Sequence, residues 1–460
     1  ETGFGLGLNF LTAWQAWKHD PARPGLLHFV SVEAYPVSRE DILRASAAYE
    51  ELAPLARQLS DQWHGLLPGF HRLAFEGGRV LLTLCIGDVQ PMLRAQRHFE
   101  AESIFLDGFS PARNPDMWSL DVLKGVTRFA HVGTHLATWT VARPLRDGLQ
   151  QLGWQARKLP GLPPKRDCLG AVYEPAWPLR RPAPPAEQVT ELGHCVVIGA
   201  GLAGAAVAAS LARRGWTVSV LDAGPHPATG ASALPVGLMA PHVSPDDALL
   251  SRLSRAGIRA TWHQLAHLLV AGQDWSATGA LERRSAAKAR LPAAWSAEGP
   301  NDSWHASAAQ VQAAGLDEGT TALWHAGAGW VRPSRLVNAW LDQPGITLMT
   351  DCRVDRIESQ QGQWVALNSD GQRLAEGNRI VIAAGFGSES FAPDLPLRPV
   401  RGQVMYGHGT AGMPACPING DGHLIAHVPD GIDDLWLAGS TYDRDSNSTA
   451  LRDEDMRANL

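Results

Sequence analysis

Apolar and polar positions in the first part of the chain switch repeatedly between the period of a strand and that of a helix. Leu26–Val32, LLHFVSV, predicts a strand, and REDILRASAAYEELAPLARQL carries helical spacing. HRLAFEGGRVLLTLCIG predicts a hairpin turning at Gly77-Gly78. AESIFLDGF predicts a strand followed by a helix from about Pro115, THLATWTVA a strand, RPLRDGLQQLG a helix ending at Gly153, and KRDCLGAVYE a last strand. Strands alternating with helices predict a mainly parallel sheet covered on both faces. The periodicity lapses over Glu174–Gln188, EPAWPLRRPAPPAEQ, whose prolines predict a stiff extended linker. It restarts in HCVVIGAGLAGAAVAASLARRGWTVSVLDAG as strand, glycine turn, helix, stop at Gly215 and strand. Short strands follow (ITLMTDCRVDRIES, QWVALNS, RIVIAAG), mixed with helices. The expected organisation is an α/β domain over 1–174, a linker over 175–193, and a second α/β domain over 194–460 with an inserted antiparallel substrate subdomain.

Composition narrows the class. A chain of 460 residues has room for two to four domains. Its 45% hydrophobic and 19% charged residues are those of an ordinary soluble protein. The net charge of -6 neither suggests nor excludes a nucleic-acid partner, because a local basic patch can sit on an acidic protein. Cys85, Cys168, Cys195, Cys352 and Cys416 show no CxxC spacing, so reduced thiols in a cytoplasmic protein are expected rather than a disulfide frame or zinc site. The longest apolar run, Val196–Ala212, is mostly Gly and Ala and makes a poor membrane span. His263 and His267, four residues apart, lack a third ligand, and no metal is expected. The chain opens inside a glycine loop, ETGFGLGLNFL, and stops inside the helical pattern RDEDMRANL, which reads as a fragment lacking both ends.

Two glycine-rich loops carry the candidate chemistry. Gly199-Ala200-Gly201-Leu202-Ala203-Gly204 is a GxGxxG directly after a strand and at the start of an Ala-rich helix. Asp222 ends the next strand, at the spacing of a ribose-binding carboxylate. The first glycine makes the turn, the second lets a pyrophosphate reach the backbone, and the third lets helix and strand pack closely. In the other loop Gly3, Gly5 and Gly7 precede a helix, and carboxylates follow three successive strands at Glu33, Asp88 and Asp107. Glu33 can accept both hydroxyls of a ribose and Asp88 an adenine amino group. Asp107, in IFLDGFSPARNPDMW, is either a base or orienter for a nucleophile, or a turn former before Gly108.

This order of loop and carboxylates resembles the class I S-adenosylmethionine (SAM) methyltransferases, with a Rossmann-like sheet. TGASALPVGLMAP, RIVIAAGFGS and RPVRGQV together resemble the FAD-dependent amine oxidases of the glycine oxidase class, with a Rossmann-type FAD domain. That resemblance implies flavin contacts at Ala231, Ser232, Gly237, Ala384 and Gly385. The succession of the two halves, with FLDGFSPARNPDMW, GLPPKRDCLGAVYE and GSTYDRDS, resembles the MnmC family of bifunctional tRNA wobble-uridine modification enzymes. The resemblance implies FAD-dependent removal of a carboxymethyl group from 5-carboxymethylaminomethyluridine and SAM-dependent methylation of the amine that remains. Asp107 would serve the second step. Lys165 and Arg166 would touch tRNA phosphate, or form a solvated pair. Arg401, ahead of Arg332, would bind the substrate carboxylate. A monomer is expected, with tRNA as partner and no membrane. The alternative is a glycine-oxidase-like flavoenzyme fused to a small-molecule amine methyltransferase.

Overall fold

The computed structural model describes residues 1–163, 165–178, 191–295 and 302–460, so most of the expected linker lies outside the described residues. The chain divides into two units, Glu1–Gln188 and Val189–Leu460.

In the first unit the elements run α1 (Leu8–His19), β1 (Leu27–Glu33), α2 (Arg39–Ser46), α3 (Ala53–Asp61), β2 (Gly69–Phe75), β3 (Val80–Ile86) and α4 (Val89–Ala95). They continue with β4 (Ala101–Phe105), α5 (Leu120–Thr127), β5 (Ala130–Thr138), α6 (Arg143–Gln151), β6 (Trp154–Pro160) and β7 (Asp167–Tyr173). VLLTLCI is almost wholly buried, and it forms the central strand β3 of the sheet β1-β3-β2. A second sheet has the order β4-β5-β7-β6. Phe10, Trp14, Phe29 and Phe75 fill the core against the first sheet, and Val122, Leu136 and Trp154 that against the second.

Two expectations are corrected here. Only β1/β3 and β4/β5 pair parallel; β2/β3 form the expected antiparallel hairpin, and β5/β7 and β6/β7 are antiparallel as well. The reason is connection length: the turns at Glu76–Gly78 and between β6 and β7 are too short for a parallel crossover. WQARKLP was not anticipated as a strand because its outer positions are mostly polar and exposed. The long helix expected from Arg39 breaks into α2 and α3, because Pro54 is tolerated in a first helical turn but not in a helix interior.

The segment Glu1–Phe4 positions the first glycine loop. It hydrogen-bonds to β1 on one side, Val32 N–H to the Glu1 carbonyl at 3.1 Å and Phe4 N–H to the Val32 carbonyl at 3.3 Å. On the other side the Thr2 N–H donates to the Phe105 carbonyl at the end of β4, at 3.2 Å. The loop therefore lies over the carboxyl ends of both strands, where ligands of open α/β sheets bind.

The second unit begins with β8 (His194–Ile198), α7 (Leu202–Ala212), β9 (Thr217–Leu221), β10 (Gly237–Met239) and α8 (Leu249–Leu268). Next come β11 (Trp275–Ser276), β12 (Ala280–Arg283), β13 (Ser303–His305), α9 (Ala308–Ala313), β14 (Ala322–His325), β15 (Gly329–Val331), α10 (Pro333–Leu341) and β16 (Ile346–Met349). The strands β17 (Arg356–Gln360), β18 (Gln363–Leu367), β19 (Arg373–Gly377) and β20 (Arg379–Ile382) follow. Strands β16-β9-β8-β20 form a parallel sheet, with the buried run Cys195–Ile198 in a central strand. Strands β17-β18-β19 form an antiparallel sheet. Another sheet gathers β12, β13 and β14 with later strands, largely antiparallel, and is the inserted subdomain. No helix among the described residues is long and apolar enough to cross a membrane.

Candidate cofactor and active sites

In the first unit a cavity of about 870 Å³ opens at the glycine loop, lined by residues that include Gly3, Gly5, Asn9, Glu33, Asp88, Asp107 and Asp116. Glu33 ends β1 and accepts the Gly5 N–H at 2.9 Å through Oε2 and the Tyr35 N–H at 2.9 Å through Oε1. The Gly87 N–H donates to the Glu33 carbonyl at 2.9 Å, which brings Asp88 beside it. Asp107 follows β4, and its Oδ2 accepts from Asn9 Nδ2 at 3.0 Å while Oδ1 accepts the Gly108 N–H at 2.8 Å. A Cβ on Gly3 would stand 2.9 Å from the Asp107 carbonyl oxygen, so loop and carboxylate strand approach backbone to backbone. Gly7 does not line the cavity; it is the left-handed cap before α1, at φ 76°.

Four carboxylates line this cavity, and no Lys, Arg or His does among the described residues. The field favours a cation, such as a sulfonium or an ammonium. A cavity of this volume, with few convergent polar groups, fits a nucleoside-bearing ligand of SAM size. Asn9 was missed from the sequence. Its amide bridges Asp107 and the Glu1 carboxylate, the latter at 2.8 Å, and Asn9 and Asp107 stand 98 residues apart in sequence, so only the fold brings them together.

In the second unit the other glycine loop repeats the same logic with different packing. Asp222, just past β9, accepts the Ala200 N–H at 2.6 Å and the Gly224 N–H at 2.8 Å. A Cβ on Gly204 would collide with the Gly199 carbonyl oxygen, so only glycine lets α7 sit this close to the loop. Ser232 Oγ accepts the Leu202 N–H at 3.0 Å, and a Cβ on Gly201 would face that hydroxyl at 3.1 Å. Ala231 belongs to the same short turn as Ser232. The Ala383 N–H donates to the Ile198 carbonyl at 2.8 Å, and Ala384 Cα would lie 3.2 Å from a Cβ on Gly199. Gly199, Gly201, Gly204, Asp222, Ser232 and the Ala384-Gly385 turn are thus brought to one end of the parallel sheet. The first turn of α7 leaves N–H groups without intrahelical acceptors, a fitting seat for a pyrophosphate. Gly237 instead opens β10 and pairs with Val331, and its nearest neighbours are Val331 and Pro333.

Arg401 is the clearest correction. It is buried, and its guanidinium is held by Asp455, by Gln403 Oε1 at 2.9 Å and by the Ala450 carbonyl at 2.6 Å. Such a group is a structural anchor and not a receptor for an incoming carboxylate. Arg332 is similarly tied to Pro429 and Asp430. Lys165 and Arg166 lie exposed in the turn between β6 and β7. His263 and His267 pack ring to ring at 4.5 Å, and burial pushes the His263 pKa down to about 4.

Residues 194–460 match the family described as FAD dependent oxidoreductase, and residues 50–174 the family described as S-adenosyl-L-methionine-dependent methyltransferase. The glycine loop and Glu33 precede the second of these matches. A protein of Polaromonas naphthalenivorans (strain CJ2), called tRNA 5-methylaminomethyl-2-thiouridine biosynthesis bifunctional protein MnmC, is 51% identical across 100% of this chain and 75% of its own length. The protein of the same name from Paracidovorax citrulli (strain AAC00-1) is 52% identical across 96% of this chain and 72% of its own. Among solved structures, glycine oxidase from Geobacillus kaustophilus aligns with 59% of this chain and 76% of its own at 20% identity and a TM-score of 0.47. Two units, two glycine loops with their own carboxylates and the identity to these relatives agree: the chain belongs to the family of MnmC bifunctional proteins, a SAM-dependent methyltransferase followed by an FAD-dependent oxidoreductase.

Proposed function

We propose that the chain performs two successive steps on a tRNA wobble uridine. The second unit removes the carboxymethyl group of 5-carboxymethylaminomethyl(-2-thio)uridine, and the first unit methylates the primary amine left behind. Bound FAD supplies the acceptor for the hydride that leaves the glycine-derived carbon. Water then cleaves the resulting C=N bond of the substrate, releasing glyoxylate and the 5-aminomethyl base. The Gly199–Gly204 loop and α7 would hold the cofactor's pyrophosphate, Asp222 its ribose, and Ser232 and the Ala384-Gly385 turn would line its path. SAM would supply the methyl group in the other unit, held by Glu33 at its ribose and by Asp88 at its adenine.

The observation that carries the methylation step is the fixed Asp107 carboxylate in a cavity lined by acids. An amine must lose its proton before its lone pair can attack a methyl group. Asp107, held by Asn9 and the Gly108 N–H, has an oxygen lone pair available for that proton or for orienting the amine. The acidic walls draw the ammonium form in before it is deprotonated. Lys165 and Arg166 are taken as phosphate contacts. Each cofactor site is built within one unit of one chain, so a monomer suffices, and its tRNA substrate puts the enzyme in the cytoplasm. The identity to the MnmC relatives supports the tRNA reading over a glycine-oxidase-like flavoenzyme fused to a small-molecule amine methyltransferase. Nucleoside analysis of bulk tRNA from cells lacking the gene tests the reading. Accumulation of the carboxymethylaminomethyl form is expected; an unchanged profile would overturn it.

A further inference from the structure

Two aromatic side chains beside Asp107 have no task in the reactions above. Strands β4 and β5 run parallel with Phe105 opposite Ala137, and the Leu106 N–H donates to the Ala137 carbonyl at 3.0 Å. Asp107 and Trp139 each stand two residues past a paired position. They therefore leave neighbouring strand ends roughly 5 Å apart at the same height. Phe109 follows two residues after Asp107. Both rings line the same cavity as Asp107, yet Phe109 is 70% and Trp139 44% exposed.

The Phe109 ring sits on a held backbone. Trp118 Nε1 donates to the Phe109 carbonyl at 2.8 Å, and Asp107 Oδ1 accepts the intervening Gly108 N–H at 2.8 Å. Tyr35 also lines the cavity, but its N–H is bonded to Glu33, which puts it on the ribose side. The cavity thus has a nucleoside wall at Glu33 and Asp88 and a second wall at Asp107. Among the described residues no cation lines the second wall, so it offers no charged partner for a phosphate of the acceptor. What it offers is flat aromatic surface. Unstacked bases of single-stranded RNA loops are bound on such surface, because every base has a π face.

We propose that Phe109 and Trp139 form a stacking site for the pyrimidine ring that carries the acceptor amine, holding that amine at Asp107. The proposal rests on the reading that the acceptor is a tRNA base. The test uses the full-length protein and tRNA bearing the 5-aminomethyl base, with Phe109→Ala, Trp139→Ala, Phe109→Tyr and Trp139→Phe. Each alanine variant should lower kcat/KM for tRNA about 10-fold, mainly through KM, as expected for loss of one base–aromatic stack. SAM affinity should stay within about twofold, and the aromatic replacements should restore most of the activity. Alanine variants with wild-type kcat/KM would overturn the stacking site. So would a loss of activity that aromatic replacement does not rescue or that runs parallel to lost SAM binding. If the wild-type protein fails to methylate this tRNA while methylating a small free amine, the functional reading falls and the proposal with it.

Discussion

The two glycine loops solve the same problem by different packing. In each, the carboxylate at the end of the first strand after the loop accepts one N–H from the glycine loop and one from the residue two positions on. For Glu33 the donors are Gly5 and Tyr35, and for Asp222 they are Ala200 and Gly224. The sequence separation between loop and carboxylate differs, 28 residues in the first case and 22 in the second. The larger difference lies in what the glycines touch. Gly204 allows α7 to sit on its own loop, which closes the turn tightly around the start of a helix. Gly3 instead packs the first loop against the backbone of Asp107, just past the end of β4. On the proposed reading the second loop would seat a pyrophosphate at a helix terminus. The first brings two carboxylates, proposed as ribose-binding and reactive, to two walls of one cavity.

That contrast can be broken most severely at Asp107. Asp107→Asn should keep SAM affinity and lower the methylation rate by about 10²–10⁴-fold, the usual loss for a general base. Single-turnover methylation with SAM binding measured in parallel decides it. If affinity collapses while bound SAM turns over normally, Asp107 belongs to the cofactor wall and the two-wall description is wrong.

Gly204→Val tests the tight packing. A branched side chain there meets backbone, which cannot yield as a side chain can, and overpacking of this kind costs about 3 kcal/mol. The expected outcome is a protein without flavin absorbance and with a lower unfolding temperature. The methylation of tRNA already bearing the primary amine should persist. Retained flavin would show that the helix can shift without loss of the site.

Asn9→Ala gives the smallest effect and refines the account of the first loop. It removes one hydrogen bond from Asp107, for which about 1 kcal/mol is typical, so methylation should slow about fivefold with SAM affinity unchanged. An unaltered rate would mean that the Gly108 N–H alone fixes the carboxylate.

How much of this was legible in advance follows from what each signal depends on. The GxGxxG, Asp222 and the buried strand between them are local, and the structure assembles them as read. The carboxylates after β1, β3 and β4 of the first unit were equally visible, because the carboxyl ends of these strands converge on one cavity whatever the side chains between them. Asn9 and Trp139 were not, since Asp107, which Asn9 hydrogen-bonds and whose cavity Trp139 shares, is remote from both in sequence. Arg401 misled for a related reason. An arginine after a cofactor strand looks like an anion receptor until the fold supplies Asp455 and Ala450 as its partners. Strand direction in the first unit also depended on connection lengths that periodicity does not measure.

The central claim is that each loop serves its own unit. The most direct test compares Gly201→Val with Glu33→Ala in the full-length protein, scoring flavin absorbance and tRNA nucleosides on both. Gly201→Val puts a branched chain against Ser232 Oγ, where the proposed pyrophosphate would meet backbone. It should lose flavin and carboxymethyl removal yet still methylate tRNA that carries the primary amine. Glu33→Ala should weaken SAM binding while flavin and carboxymethyl removal stay intact, so the primary amine accumulates. If either substitution abolishes both reactions in a protein that remains folded, the sites are coupled and the account is contradicted.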